Sequence, residues 1–304
     1  MSLENPRAVI NKNLLLLHFT VIIWGFTGVL GALISISAVS LVWFRVLIAS
    51  TSLFLYFIFF KINFKVSWQA FFKFIFTGAL VGCHWILFFA SIKLSTIAVT
   101  LVCLSSITLF TAIFDPLINK RSISKLQILV GILIITGIVL IFKFETQYTT
   151  GIIAGLISAV VASLFAIINS KLVHRNEATV IAFYELSGAF FWITVYLLFT
   201  SGFNKNMIPT HADIVYLLIL GTICTSIAYA AGVSVMREIS VFRVALITNL
   251  EPVYGIILAF IFFGDKNKMN PGFWAGAVII LSTILLYPIT HKKIYERKKE
   301  KISA

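Results

Sequence analysis

From roughly residue 12 to residue 290, almost every stretch of twenty residues in this 304-residue chain is apolar. Twenty apolar residues in a helix cross the hydrocarbon of a bilayer, and a chain built from such stretches has no polar face to offer water. Hydrophobic residues make up 60% of the sequence and charged residues 12%, about half the charged share of an ordinary globular domain. That excludes a disordered chain, a disulfide scaffold and a soluble catalytic domain. Ten spans are expected, near 13–33, 39–60, 70–91, 95–118, 126–142, 150–172, 178–200, 213–235, 241–263 and 271–290. The expected class is an all-α integral membrane protein with ten transmembrane helices, and nothing is left over to form a soluble domain.

The formal net charge of +13 would suggest nucleic acid in a soluble protein, but here the cations sit in short loops and in a basic tail, 292–304. With the N-terminus inside, 18 Lys and Arg fall on the inner side and five (Lys93, Lys143, Lys205, Lys266 and Lys268) outside, leaving Arg45 within a span. Positive charge is retained on the cytoplasmic side, so both termini are expected there, in a multi-pass protein of the cell (bacterial inner) membrane. Reading residues 1–38 as a cleaved signal fits poorly, because the apolar stretch is longer than a signal core. Cys83, Cys103 and Cys224 all lie in apolar spans without metal-ligand spacing, so neither a metal nor a cofactor is expected.

A weak internal repeat organises the spans. Leu104-Ser-Ser-Ile-Thr-Leu-Phe-Thr-Ala-Ile-Phe114 corresponds to Thr248-Asn-Leu-Glu-Pro-Val-Tyr-Gly-Ile-Ile-Leu258, each in the fourth span of its half. Gly78-x-x-x-Gly82 answers Gly221-x-x-x-Thr225 one span earlier, and Gly131 and Gly137 answer Gly276 and Ser282 one span later. The halves are 1–146 and 147–291. Five spans is an odd number, so tandem halves enter the membrane from opposite sides. Two inverted five-helix repeats are the architecture of secondary transporters, with a site near the midplane between the halves. Thr108 stands where the second half has Pro252, so the first-half helix is expected to run unbroken.

The whole chain up to the tail resembles the drug/metabolite transporter superfamily, in its ten-span EamA-type branch. Trp24-Gly25, Phe44-Arg45, Asn249-Leu-Glu-Pro-Val-Tyr-Gly255, Phe262-Phe-Gly-Asp265 and the Gly131 and Gly276 spans carry the resemblance. The chain departs from that pattern at Asp265, where the family usually has Glu, and at Asn119-Lys-Arg121, which lacks an acidic residue often present. The resemblance implies an exporter of small metabolites whose third, fourth, eighth and ninth spans line a central cavity.

Ionisable groups in hydrocarbon are costly and therefore functional candidates. Glu251 is the sharpest, at mid-span beside Pro252, which frees the carbonyl of Thr248 from its helical donor. With Asn249 these groups make a cradle for substrate charge or for protons as a coupling ion. Thr248, Glu251 and Gly255 would share one helix face. The alternative for Glu251 is a carboxyl that only ties helices together. Arg45 is a candidate substrate anchor, or a side chain that snorkels outward or meets backbone carbonyls. Glu185, its repeat counterpart, lies at mirrored depth, so a salt bridge between them is not expected. His84 beside Trp85, and Ser105 and Thr108 on the fourth span, are further pathway candidates. Trp24, Trp85, Tyr229 and Tyr254 are expected to line an aromatic passage.

A secondary transporter of a small molecule such as an amino acid or drug-like compound, working by alternating access, is the leading expectation. A membrane receptor or assembly protein without transport is the alternative. An intramembrane enzyme is disfavoured because Asp115, Asp213 and Asp265 lie at span ends and never cluster. No phosphate-binding loop is present, so transport would draw on a gradient. The sequence leaves substrate, coupling ion and monomer-or-homodimer state open.

Overall fold

A computed structural model describes residues 6–120, 125–264 and 270–303. Arg121, Ser122, Asp265, Lys266 and Lys268 lie outside these described residues. All regular structure in them is helical: α1 (Pro6–Leu33), α2 (Ala38–Phe59), α3 (Trp68–Leu94), α4 (Ile97–Leu104), α5 (Ile107–Ile118), α6 (Lys125–Phe144), α7 (Thr149–Leu172), α8 (Ala178–Phe199), α9 (His211–Gly221), α10 (Ala228–Val235), α11 (Val241–Thr248), α12 (Glu251–Phe263) and α13 (Pro271–Ser303). Eight continuous helical stretches are long and apolar enough to cross a membrane, and two shorter apolar stretches lie at Leu129–Ile141 and Pro271–Tyr287. The chain is a multi-pass membrane protein.

The helices are apolar all round, as bilayer helices are, so boundaries are set by polar punctuation rather than by an amphipathic stripe. Ser37, Ser67 and Thr96 cap α2, α3 and α4 by accepting from Ser40, Ala70 and Val99 N–H groups. Thr210 and Asp213 form a reciprocal capping box at the start of α9. The perimeter carries side chains such as Phe59 (77% exposed) and Phe199 (88% exposed), which a lipid environment covers.

Packing inside the bundle relies on glycine. α3 meets α8 through Gly78 and Gly188, where a side chain would press on the backbone of Ala189 and Ile75. Gly25 of α1 and Gly255 of α12 bring those helices into backbone contact, so Gly255 serves packing rather than the face of Thr248 and Glu251. Gly137 and Gly276 join α6 to α13, around a side cluster with Ile134, Ile141, Phe273 and Ile280.

Three crossings are interrupted. α11 gives way to α12 at Asn249–Leu250, with Pro252 in the first turn of α12, where its missing N–H costs nothing. The fourth crossing breaks too, at Ser105–Ser106 between α4 and α5, against the expectation of an unbroken first-half helix. Two serines mark this break where the other has proline: Ser106 Oγ donates to Cys103 O at 2.6 Å and Ser105 Oγ to Leu101 O at 3.3 Å, giving carbonyls of the preceding turn a side-chain donor. Both breaks tighten to i→i−3 bonds, from Ser106 N to Cys103 O and from Asn249 N to Leu246 O. Between α9 and α10, Thr222–Ile227 forms a π-helical turn.

Candidate functional site

The interrupted helices surround a cavity of about 870 Å³, its open mouth included. Its lining extends from Met236, Val241 and Val244, beside the loop 236–240, to Arg45, His84 and Thr27. Past Arg45 the bundle is filled by Leu30, Leu41, Phe89 and Ile92. Trp24, Trp85, Phe88, Phe165 and Tyr229 make the walls aromatic, and α7 adds Ala162, Ala166 and Asn169. A smaller side pocket is lined by Ser105, Thr248, Asn249, Glu251 and Pro252. Glu251 and Thr248 line both spaces.

Arg45 caps the cavity and is 1% exposed. Its Nε donates to Thr225 Oγ1 at 2.6 Å, and its guanidinium lies 4.0 Å from the centre of the Trp85 ring. It therefore points inward, rather than snorkelling or reaching for backbone carbonyls. The π-turn explains the Thr225 contact: Thr225 Oγ1 donates to Leu220 O, five residues back, which fixes the hydroxyl to accept from Arg45. Nη1 is buried without a hydrogen-bond partner, and Arg45 makes no ion pair among the described residues. Glu251, which is 6% exposed, lines the same cavity as Arg45 and belongs to both pockets.

Glu185 does not line the cavity. It stands behind the wall, fully buried, where Oε2 accepts from Tyr229 Oη at 2.6 Å and Asn169 Nδ2 at 3.0 Å. Both donors face the cavity, so Glu185 touches it through them. His84 Nδ1 pairs with Ser158 Oγ at 2.8 Å, which locks the ring against α7. Asn249 Nδ2 donates to Thr108 Oγ1 and to Ala245 O, tying the two broken crossings together. Thr108 is thus a helix tie behind the lining. Tyr254 lies outside the cavity altogether, packed over Gly25, because the break at Asn249 turns its face of α12 toward α1.

Of the sequence candidates, the structure brings Trp24, Arg45, His84, Trp85, Tyr229, Thr248 and Glu251 around one space, with Ser105, Asn249 and Pro252 beside it. Sequence reasoning missed Asn169 and Thr225. Asn169 carried a signal, as an amide deep in an apolar span; Thr225 carried none beyond its place in a small-residue pair.

The fold is found elsewhere. A solved crystal structure matches 92% of this chain and 98% of its own length, with a TM-score of 0.68 at 14% identity, which establishes a shared fold. No curated protein matches the sequence. The family model for EamA-like transporters matches twice, over residues 11–143 and 149–287, nearly the whole of the chain. Two consecutive copies around an aromatic cavity with buried charges lead to one assignment: the chain belongs to the EamA-like transporter family and is a membrane transporter of the drug/metabolite type.

Proposed function

We propose that the protein is a secondary exporter of a small metabolite, such as an amino acid or drug-like compound, working by alternating access across the cell membrane. It crosses ten times as two inverted five-helix repeats, 1–146 and 147–291, with both termini and the basic tail 292–304 in the cytoplasm. The cation asymmetry supports this orientation. The breaks support the repeat: Ser105–Ser106 and Asn249–Leu250 fall at positions that the sequence repeat pairs. Staples support it as well. Lys93 Nζ donates to Ile34 O at 2.8 Å at one end of the bundle, and Arg237 Nε donates to Val173 O at 3.1 Å at the other. Each is a cation closing the third span of its half onto the end of the first.

The observation that carries the reading is the cavity itself. Both halves line it, the crossings broken at Ser105–Ser106 and Asn249–Leu250 reach it, and it holds a cation and a carboxylate that make no ion pair among the described residues. A midplane site between inverted halves, built on broken helices, is what alternating access requires. Arg45, capping the cavity, offers charge to an anionic group. Glu251 offers it to a cationic group or a coupling proton, and the aromatic walls hold an apolar body.

The test is transport by purified protein in proteoliposomes, with substrates nominated by comparing metabolite release from expressing and non-expressing cells. Glu251→Gln keeps size and hydrogen bonding while removing the charge, so it inserts normally and loses coupling or at least tenfold of the rate. Equal transport by both proteins under the same gradient makes Glu251 a structural group and removes it from the mechanism.

A further inference from the structure

At the end of the bundle away from Arg237, two buried carboxylates join the halves: Glu145 Oε1 accepts from Asn270 N at 2.9 Å, and Asp213 takes the loop between α1 and α2. Asp213, 1% exposed, accepts from Ser35 N at 2.7 Å on Oδ1 and from Ser35 Oγ at 2.6 Å on Oδ2. Ser35 belongs to the loop between α1 and α2; Asp213 opens α9 in the other half. Thr210 holds the carboxylate in place, donating to Oδ2 from its N–H at 3.0 Å and its hydroxyl at 2.8 Å. Lys93 pins the same loop through Ile34 O.

The repeat shows what stands at the opposite end. Gly78 pairs with Gly221 in sequence, and the same register pairs the helix cap Ser67 with Thr210 and Ala70 with Asp213. Ser67 Oγ accepts from Ala70 N at 3.3 Å, as Thr210 Oγ1 accepts from Asp213 N at 3.2 Å, so the caps are equivalent. The third residue of the cap differs: a carboxylate on one side, a methyl group on the other. Among the described residues, no hydrogen bond joins the loop 173–177 to the first turn of α3.

We propose that Asp213 is a one-sided gate latch, which holds the outer end of the cavity shut through Ser35 and, because Ala70 leaves the inner end without its equivalent, makes the cytoplasm-facing form the resting state. This rests on the alternating-access reading. A charged acceptor with two donors contributes more than ordinary neutral pairs, enough to bias an equilibrium between two otherwise similar halves by tenfold or more. Opening outward breaks both Ser35 bonds. Opening inward breaks, among the described residues, no carboxylate pair between the loop 173–177 and α3, only the neutral bond from Tyr184 Oη to Phe64 O at 3.1 Å.

The experiment uses a cysteine reporter, Thr27→Cys, at the outer end of the cavity lining, with Cys83, Cys103 and Cys224 replaced by alanine. A membrane-impermeant maleimide is applied to right-side-out and to inside-out vesicles. The parent is expected to label from the inner side and to resist labelling from the outer. Asp213→Ala raises outside labelling about tenfold or more, and Ser35→Ala, which leaves the cap of α9 whole, raises it about threefold. Ala70→Asp leaves the latch untouched and supplies its missing counterpart opposite the loop containing Arg175; it too raises outside labelling. Outside labelling unchanged in Asp213→Ala and Ser35→Ala, or lowered in Ala70→Asp, while the parent still labels from inside, overturns the latch and leaves alternating access standing. A reporter that reacts from neither side in any variant overturns both.

Discussion

Replacing Arg45 by methionine separates function from stability, because the arginine's interactions nearly cancel in the folded state. Two contributions are lost: the charged hydrogen bond to Thr225, worth about 1.5–3 kcal/mol, and the stacking on Trp85, worth about 2 kcal/mol when dehydrated. Two costs vanish with them. The dehydration of the buried ion amounts to several kcal/mol, and the unpartnered Nη1 to about 1–3 kcal/mol. Thr225 Oγ1 keeps its donation to Leu220 O, so no orphaned donor remains, and methionine fills a similar volume against Trp85 and Phe89. Arg45→Met should therefore leave the melting temperature of purified protein unchanged or a few degrees higher, while transport in proteoliposomes falls at least tenfold. A packing residue behaves the other way. A fall of more than about 5 °C, well over 1 kcal/mol for a chain this long, with transport retained would refute the assignment of Arg45 to the substrate path.

Gly188→Leu should separate α3 from α8, since even a Cβ there would stand 2.7 Å from Ile75 O and 2.8 Å from Ile75 Cα, both backbone. The expected loss is about 1–3 kcal/mol in thermal unfolding, and an unchanged melting temperature would mean the interface is looser than the structure shows. Topology is tested with reporter fusions. Those after Lys143 and Lys205 should read outside and those after Lys120 and Arg175 inside, and reversal of either pair would remove the inverted repeat.

The helical crossings were legible because hydrocarbon thickness dictates how many apolar residues a crossing needs, and no other environment makes that demand. The ninth-span break was legible through Pro252, whose missing donor is written in the sequence. The fourth-span break was not. Adjacent serines do not announce a break, because serine in a membrane helix also packs or bonds back within an unbroken helix, as Ser163 and Ser170 do in α7. Arg45 was legible as costly but not in direction, since what turns it inward, Thr225 and Trp85, lies on two other crossings. Tyr254 was misjudged for a related reason: helical periodicity carries a face across a break only if the helix continues through it.

The wide turn at Thr222–Ile227 gives the crossing His211–Val235 one residue more than an α-helix of the same length would hold. An α-helix advances 1.5 Å and 100° per residue, so a wide turn displaced along the crossing re-aims every side chain it passes by about that angle. Moved toward the Arg237 end past Tyr229, it would swing the phenol away from Glu185 and free Thr225 from its hold on Arg45, without breaking the crossing or altering its ends. The spare residue would then be slack in a fixed-length strut, and the cap of the cavity and its aromatic wall would turn as one part.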